Sequence, residues 1–266
     1  MVKEFSTHQD EWAVILGGSS GFGLASARKL AAHGMNICIV HRNARSEMDG
    51  IKASFSTIAA FDVKVLSFNV DILNPEKRAE ILNELKIAMG ANGMVKCLLH
   101  SIAKGNLKPM VDQNQKTLTE SDFLLTLQNM ALSLNSWVDE LFKAQLFADD
   151  ARVIAFTSEG SKRAWKSYAA VSAAKATLEA LTRNIALEYA PYGIRANCIQ
   201  PGITDTRSLR MIPGSEELIS QTKIRNPFKR LTLPEDVANV VYLLCKPEAA
   251  WINGTVIPVD GGEQIN

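Results

Sequence analysis

Three groups of residues in this chain have the types and spacing to do chemistry. Gly17-Gly18-Ser19-Ser20-Gly21-Phe22-Gly23 follows the apolar run Ala13–Leu16 and opens a helix-like stretch. Glycines there let the backbone approach a pyrophosphate, and the positive end of the helix favours the anion. The strand before and the helix after make the turn a candidate dinucleotide cradle. At the end of the next apolar run stand His41-Arg42, with Arg45 nearby and no carboxylate at that strand end. Guanidinium suits bidentate contact with a 2′-phosphate, which favours NADPH over NADH. The third group is Tyr168 and Lys175, seven residues apart. At about 100° per residue this is nearly two turns, so the two share a helix face. An ammonium near a phenol lowers the phenol's pKa from about 10 and aids proton transfer. Without chemistry, the same residues are a turn, solvated charges and an aromatic packing residue at a helix start.

Something must position these groups. Seven apolar runs read as strands: 13–16, 36–40, 63–68, 95–99, 152–156, 195–199 and 255–259. Several are nearly continuous, as when helices cover both faces of a parallel sheet, and Pro258 marks the last as an edge. Between them lie helical stretches near 22–33, 46–60, 75–90, 120–148, 162–190 and 234–246. Within the fourth and fifth, Glu120 to Phe147 and Ser167 to Tyr189 are apolar around much of their circumference, so they are expected to be heavily buried. The alternation predicts an α/β protein: a single doubly wound Rossmann fold, a seven-stranded parallel sheet with helices on both faces, over residues 1–266. Right-handed crossovers place ligands at the carboxyl ends of the strands near the switch point.

Composition narrows the partners. The 266 residues are 47% hydrophobic and 21% charged, with a net charge of +1, so there is no global field to attract nucleic acid or an anionic membrane. The expected partner is a small molecule. No apolar run approaches the roughly 20 residues of a membrane span, and the opening MVKEFSTHQDEW lacks the character of an export signal. Cys38, Cys97, Cys198 and Cys245 are far apart, each in an apolar segment, and the four histidines are scattered. Reduced buried thiols, no metal site and a cytoplasmic location are the expectation.

The Gly-x3-Gly-x-Gly spacing resembles the nucleotide loop of the short-chain dehydrogenase/reductase superfamily, with Leu16 where a threonine is usual. Asn69-Val70-Asp71-Ile72 is similar to the superfamily's adenine-contacting strand end, and Ile199 to Thr206 to its Pro-Gly segment. Asn253-Gly254 and Val259-Asp260-Gly261-Gly262 are similar to its C-terminal signature. The resemblance thus covers almost the whole chain. It implies cofactor contacts from Gly17, Ser19, Ser20, Gly21, Phe22, Gly23, His41, Arg42, Asp71, Ile72, Ser101, Ile102, Ala103, Lys175, Pro201, Gly202, Ile203 and Thr206.

Most members carry Tyr-x3-Lys; here the position four before Lys175 is Val171. The only tyrosine with a lysine four residues on is Tyr242, with Lys246, in a short helix away from the expected site, a coincidence of common spacing. Tyr168-x6-Lys175 instead resembles the enoyl-acyl-carrier-protein reductases of the superfamily. The acid is displaced by three residues, about 4.5 Å along a helix, which suits an enolate oxygen remote from the carbon that takes hydride. His100-Ser101-Ile102-Ala103, where commoner members have Asn-Asn-Ala-Gly, points the same way. Ser158, where the best-known enoyl reductases have a second tyrosine, resembles the third, NADPH-dependent type. The resemblance implies that Tyr168 serves the enolate oxygen, Lys175 the nicotinamide ribose, Ser158 the thioester oxygen and Asn129 a proton relay.

It also implies a substrate lid over about 204–230. There Arg207, Arg210, Lys223, Arg225, Lys229 and Arg230 could meet acyl carrier protein or CoA phosphates, and Leu209, Met211 and Ile212 an acyl chain. Charged surface is the plainer account of the basic residues. A homotetramer is expected from the resemblance. The leading reading is an NADPH-dependent reductase of trans-2-enoyl thioesters in fatty acid biosynthesis. Ser158 and Asn129 keep a 3-oxoacyl or other carbonyl reductase as the alternative, and a non-catalytic NADP-binding regulator is a further one.

Overall fold

The computed structural model describes residues 4–6 and 10–265. Seven parallel strands form one sheet: β1 (Asp10–Leu16), β2 (Asn36–His41), β3 (Val65–Asn69), β4 (Gly93–His100), β5 (Phe147–Phe156), β6 (Ile194–Pro201) and β7 (Val256–Val259). Their order is β3-β2-β1-β4-β5-β6-β7, so the direction of winding switches between β1 and β4. Pro258 does lie on an edge strand.

Helices cover both faces because successive strand residues point to opposite sides. Trp12, Val14 and Leu16 enter one core and Ala13 and Ile15 the other. The first core is closed by α3 (Pro75–Met89), α5 (Ser133–Lys143) and α6 (Ala169–Glu188). The second is closed by α1 (Gly21–Ala32), α2 (Met48–Ala59) and α9 (Pro234–Cys245). The four cysteines are unpaired and buried. Among the described residues no helix is long and apolar enough to cross a membrane, and no group of histidine, cysteine and acidic side chains could hold a metal ion.

Three expected elements need correction. The stretch 120–148 is not one helix: α4 (Glu120–Leu127) passes through a π-helical turn, Gln128–Leu132, into α5, which stops at Lys143. Phe147 already belongs to β5, where it pairs with Val95. The helix expected from 162 begins at Ala169, because Ser167 takes a left-handed φ of 61° that no helix accommodates. The segment 204–230 contains two helices that had not been expected, α7 (Arg207–Arg210) and α8 (Ser215–Arg225).

Candidate active site

The carboxyl ends of β1, β4, β5 and β6 converge at the switch point. Gly17 donates to the Val40 carbonyl at 2.8 Å and Ser101 to the Leu16 carbonyl at 2.8 Å, so the glycine turn is hung between β2 and the segment after β4. At Gly17, with φ +88, a Cβ would stand 2.3 Å from the Ser101 oxygen. Gly23 packs on the turn itself: its Cβ would stand 2.3 Å from the Gly17 oxygen. Gly21 is different, since a Cβ there would project toward Thr206 at 3.9 Å.

A cleft of about 1,090 Å³ opens at this point. Its lining includes Gly17, Ser19, Ser20, Gly21 and Phe22 of the turn, and Ser101, Ile102 and Ala103 after β4. His41, Arg42, Asp71, Ile72, Asn129 and Thr206 also face it. Gly23 does not; it serves the turn. The first turn of α1 carries no acidic residue and the Ser20 side chain makes no cap hydrogen bond, which leaves its amides for an anion. The open cradle at Gly21, the free helix end and the size of the cleft fit a dinucleotide.

The corner that would meet the adenosine ribose differs from expectation. Carboxylates do reach it, from elsewhere in the chain: Asp71 after β3 and Glu47 before α2 both line the cleft. Arg42 donates to Asp71 at 2.6 Å, and Glu47 pairs with Arg207. Arg45 sits in an exposed short turn and does not line the cleft. The cation expected to read a phosphate is thus already partnered.

A second cavity, about 180 Å³, joins the cleft. Lys175, Ser158, Tyr168, Pro201, Gly202 and Ile203 line it, so the expected catalytic residues other than Asn129 come together with the Pro-Gly segment. Gly202 is required by crowding, since a Cβ would lie 2.4 Å from Thr232 Oγ1 and 2.9 Å from Asp260. The C-terminal signature therefore buttresses this wall.

Tyr168 lies at the cap position before α6, with φ −116°, rather than within the helix. Its hydroxyl is 3.5 Å from Ser158 Oγ, and Ser158 Oγ accepts from the Gly160 amide at 3.1 Å. Lys175 is buried and donates from Nζ to the Phe156 carbonyl at 2.6 Å. Burial brings its pKa down to about 8. The phenol moves opposite to expectation: burial pushes the Tyr168 pKa up and the Ser158 contact only partly offsets it. Tyr168 is therefore a neutral phenol, a donor, at neutral pH.

Asn129 and His100 belong to a strut behind the site. The Asn129 amide donates to the Leu125 carbonyl at 2.8 Å, and Lys175 turns to Phe156, so these hydrogen bonds do not join the two into a relay. Ser133 Oγ donates its one proton to the Asn129 carbonyl, so at 2.8 Å it must accept from His100 Nε2. Desolvation first, then the Lys175 charge, brings the His100 pKa down to about 3, in keeping with this neutral tautomer. The strut holds the π turn that carries Asn129 and Met130. Ser133 had no signal in the sequence, because its bond spans 33 positions.

Other contributors were not anticipated. Leu107, Met130, Trp165 and Val171 line the cavity, and Trp165 lies against Tyr168 with ring centroids 5.0 Å apart. Of the expected lid residues, Leu209, Met211 and Ile212 do line it. The basic residues are mostly tied down: Arg207 to Glu47, Arg210 to Asp205, Arg225 to Glu263 and Arg230 to Asp236, while Lys229 donates to the Ile224 carbonyl. Tyr242 and Lys246 meet Glu4, away from both cavities.

Comparison with known proteins agrees with this fold. The family model described as Enoyl-(Acyl carrier protein) reductase matches residues 17–264. A relative, the peroxisomal 2,4-dienoyl-CoA reductase [(3E)-enoyl-CoA-producing] of Mus musculus, is 29% identical over 96% of this chain and 84% of its own. The Bacillus cereus enoyl-acyl carrier protein reductase, solved with NADP+ and indole naphthyridinone, superposes with a TM-score of 0.87 at 24% identity, covering 100% of this chain and 99% of that one. The enoyl-[acyl-carrier-protein] reductase (NADH) of Aquifex aeolicus VF5 gives 0.81 at 22%, covering 97% and 98%.

Proposed function

Because the chain belongs to the enoyl-(acyl carrier protein) reductase family of short-chain dehydrogenases/reductases, and is an NAD(P)H-dependent oxidoreductase, we propose that it reduces the C=C bond of trans-2-enoyl thioesters with NADPH, in fatty acid synthesis. The observation that carries the reading is the wall of the smaller cavity. Tyr168 supplies the phenol there, while Val171, four before Lys175, presents an apolar surface. A carbonyl substrate needs its acid beside the carbon receiving hydride. An enoyl thioester needs it at the thioester oxygen, farther off.

The glycine turn and Ser101–Ala103 of the larger cleft would hold NADPH, which when bound would supply the hydride for C3 of the enoyl group. Tyr168, kept neutral by burial, donates its hydrogen bond and then its proton to the thioester oxygen as negative charge gathers there. The resulting enol reverts to the thioester with a proton on C2, and solvent reprotonates the phenolate. Ser158, 3.5 Å from the phenol, holds that hydroxyl and is placed to polarise the same oxygen. Lys175 keeps the local potential positive and is the group for the nicotinamide ribose. The apolar walls exclude water, which strengthens each of these interactions. Arg42 reads a 2′-phosphate by exchanging its bond to Asp71, the feature on which NADPH over NADH depends. We assign the cofactor contacts to the expected residues, less Gly23, which lies behind the turn.

The substrate is a small acyl thioester carried on CoA or acyl carrier protein. We assign a homotetramer and, from the four unpaired buried thiols, a reducing compartment such as the cytoplasm. The test is NADPH oxidation with crotonyl-CoA and acetoacetyl-CoA side by side, with Tyr168→Phe as control. Turnover of crotonyl-CoA that falls by about 10²-fold or more in the variant is expected. Turnover of acetoacetyl-CoA alone would replace the reading with carbonyl reduction, and cofactor binding without turnover of either would favour a regulator.

A further inference from the structure

The end of the smaller cavity away from the cofactor cleft is apolar. Leu107, Met130, Trp165, Val171 and Ile212 line it and pack, with Tyr168, into a cluster separate from the two cores of the sheet. Trp165 is its bulkiest member. Its ring is tilted 54° to that of Tyr168 at 5.0 Å.

The segment bearing Trp165 is fixed at both ends. Before it, Arg163 pairs with the buried Glu159 and the Gly160 amide donates to Ser158 at 3.1 Å. A Cβ on Gly160 would stand 2.5 Å from Tyr168 Cε1, so backbone and ring are already in contact. After it, Ser167 takes its left-handed conformation and the Tyr168 amide donates to the Trp165 carbonyl at 3.3 Å. An indole so mounted acts as a wall rather than as a free side chain.

The volume says what fits. An apolar protein cavity of about 150 Å³ takes one benzene, about six carbons. The cavity of about 180 Å³ must admit the reacting double bond and thioester carbonyl along with any tail. Beyond those atoms the enclosed part holds a short tail, as in a crotonyl or hexenoyl group, and a dodecenoyl chain would have to displace or pass Trp165 toward the open side. We infer that Trp165 is the specificity-determining wall of the acyl pocket and confines the enzyme to short-chain 2-enoyl thioesters, an inference that rests on the enoyl-reductase reading above.

The experiment compares kcat/KM of the wild type, Trp165→Ala and Trp165→Leu on crotonyl-, 2-octenoyl- and 2-dodecenoyl-CoA with NADPH, with acetoacetyl-CoA alongside. One methylene in an apolar pocket is worth about 10- to 200-fold, so the wild type should lose at least about tenfold from crotonyl to octenoyl. Opening the wall should raise the octenoyl-to-crotonyl ratio by about tenfold or more, read in whichever variant retains crotonyl turnover. An unchanged ratio, or a wild type that takes dodecenoyl-CoA as well as crotonyl-CoA, overturns the assignment of Trp165 and leaves enoyl reduction standing. Reduction of acetoacetyl-CoA with no enoyl substrate accepted overturns the enoyl reading and the wall together.

Discussion

Lys175 owes its properties to burial more than to a partner charge. Its amine is buried at the cavity wall and hydrogen-bonded to the Phe156 carbonyl at 2.6 Å, and burial brings its pKa down to about 8. Because burial depresses this pKa, the free protein holds the ammonium below pH 8 and loses it above. If the ammonium contacts the cofactor as proposed, NADPH affinity should be constant below pH 8 and then fall, by at most about tenfold per pH unit. Fluorescence titration from neutral to alkaline pH measures this. Lys175→Arg, which keeps its charge, should show a flatter profile; equal slopes would remove Lys175 from the binding step. Tyr168 carries the complementary lesson, since proximity in sequence to a lysine suggests a lowered pKa and burial gives the reverse.

The elements around the site are held by a few polar contacts that reach far along the chain. Glu263 is 1% exposed. It accepts from the Ile203 amide at 3.0 Å, from Arg225 at 2.6 Å and from Thr222 at 3.3 Å. One carboxylate thus ties the Pro-Gly segment to α8. Glu159, beside Ser158, lies 3.7 Å from the same guanidinium. Glu263→Ala leaves Arg225 and the Ile203 amide without this acceptor, a loss on the order of 3 kcal/mol. Proteolytic cleavage confined at first to 204–230, and a KM that rises more than kcat falls, would mark Glu263 as the anchor of that segment. Uniform loss of protease resistance would mark it as an ordinary part of the core.

Across the whole molecule, the candidate site and the charge cluster around Asp150 occupy opposite ends of the sheet. Asp150, in the irregular pairing between β4 and β5, holds Lys96 at 2.8 Å, Arg152 at 2.5 Å and Arg195 at 2.6 Å. It thereby joins β4, β5 and β6, and Arg152 extends the tie to α9 through the Leu244 carbonyl at 2.7 Å. Partial burial would raise the Asp150 pKa, but bonds from Arg152 and Lys96 hold it at about 2. A depressed carboxyl stabilises the fold above its ordinary pKa of about 4, and that contribution is lost as pH falls toward 2. Asp150→Asn should therefore melt below the wild type at pH 7, with the gap narrowing below about pH 4, while cofactor binding is unchanged. Altered cofactor binding would show that the two ends are coupled.

What the sequence by itself determined is what short-range rules carry. Short, nearly continuous apolar runs alternating with helix-like stretches yield the seven parallel strands and their covering layers. The glycine turn was legible because strand, turn and helix are contiguous, and the cavity residues Ser158, Tyr168 and Lys175 because the resemblance to known enzymes singled out their positions. Tertiary structure alone decided how those residues are held. Tyr168 precedes its helix instead of riding on it, because Ser167 breaks the helix with a left-handed turn. Arg42 meets Asp71, 29 positions away, and His100 meets Ser133, since hydrogen bonds depend on distance in space and leave no periodic trace along the chain. The position of Trp165 emerged for the same reason: its stretch reads as helix from 162, and only the fold leaves it in the loop before α6 with its ring against the tyrosine.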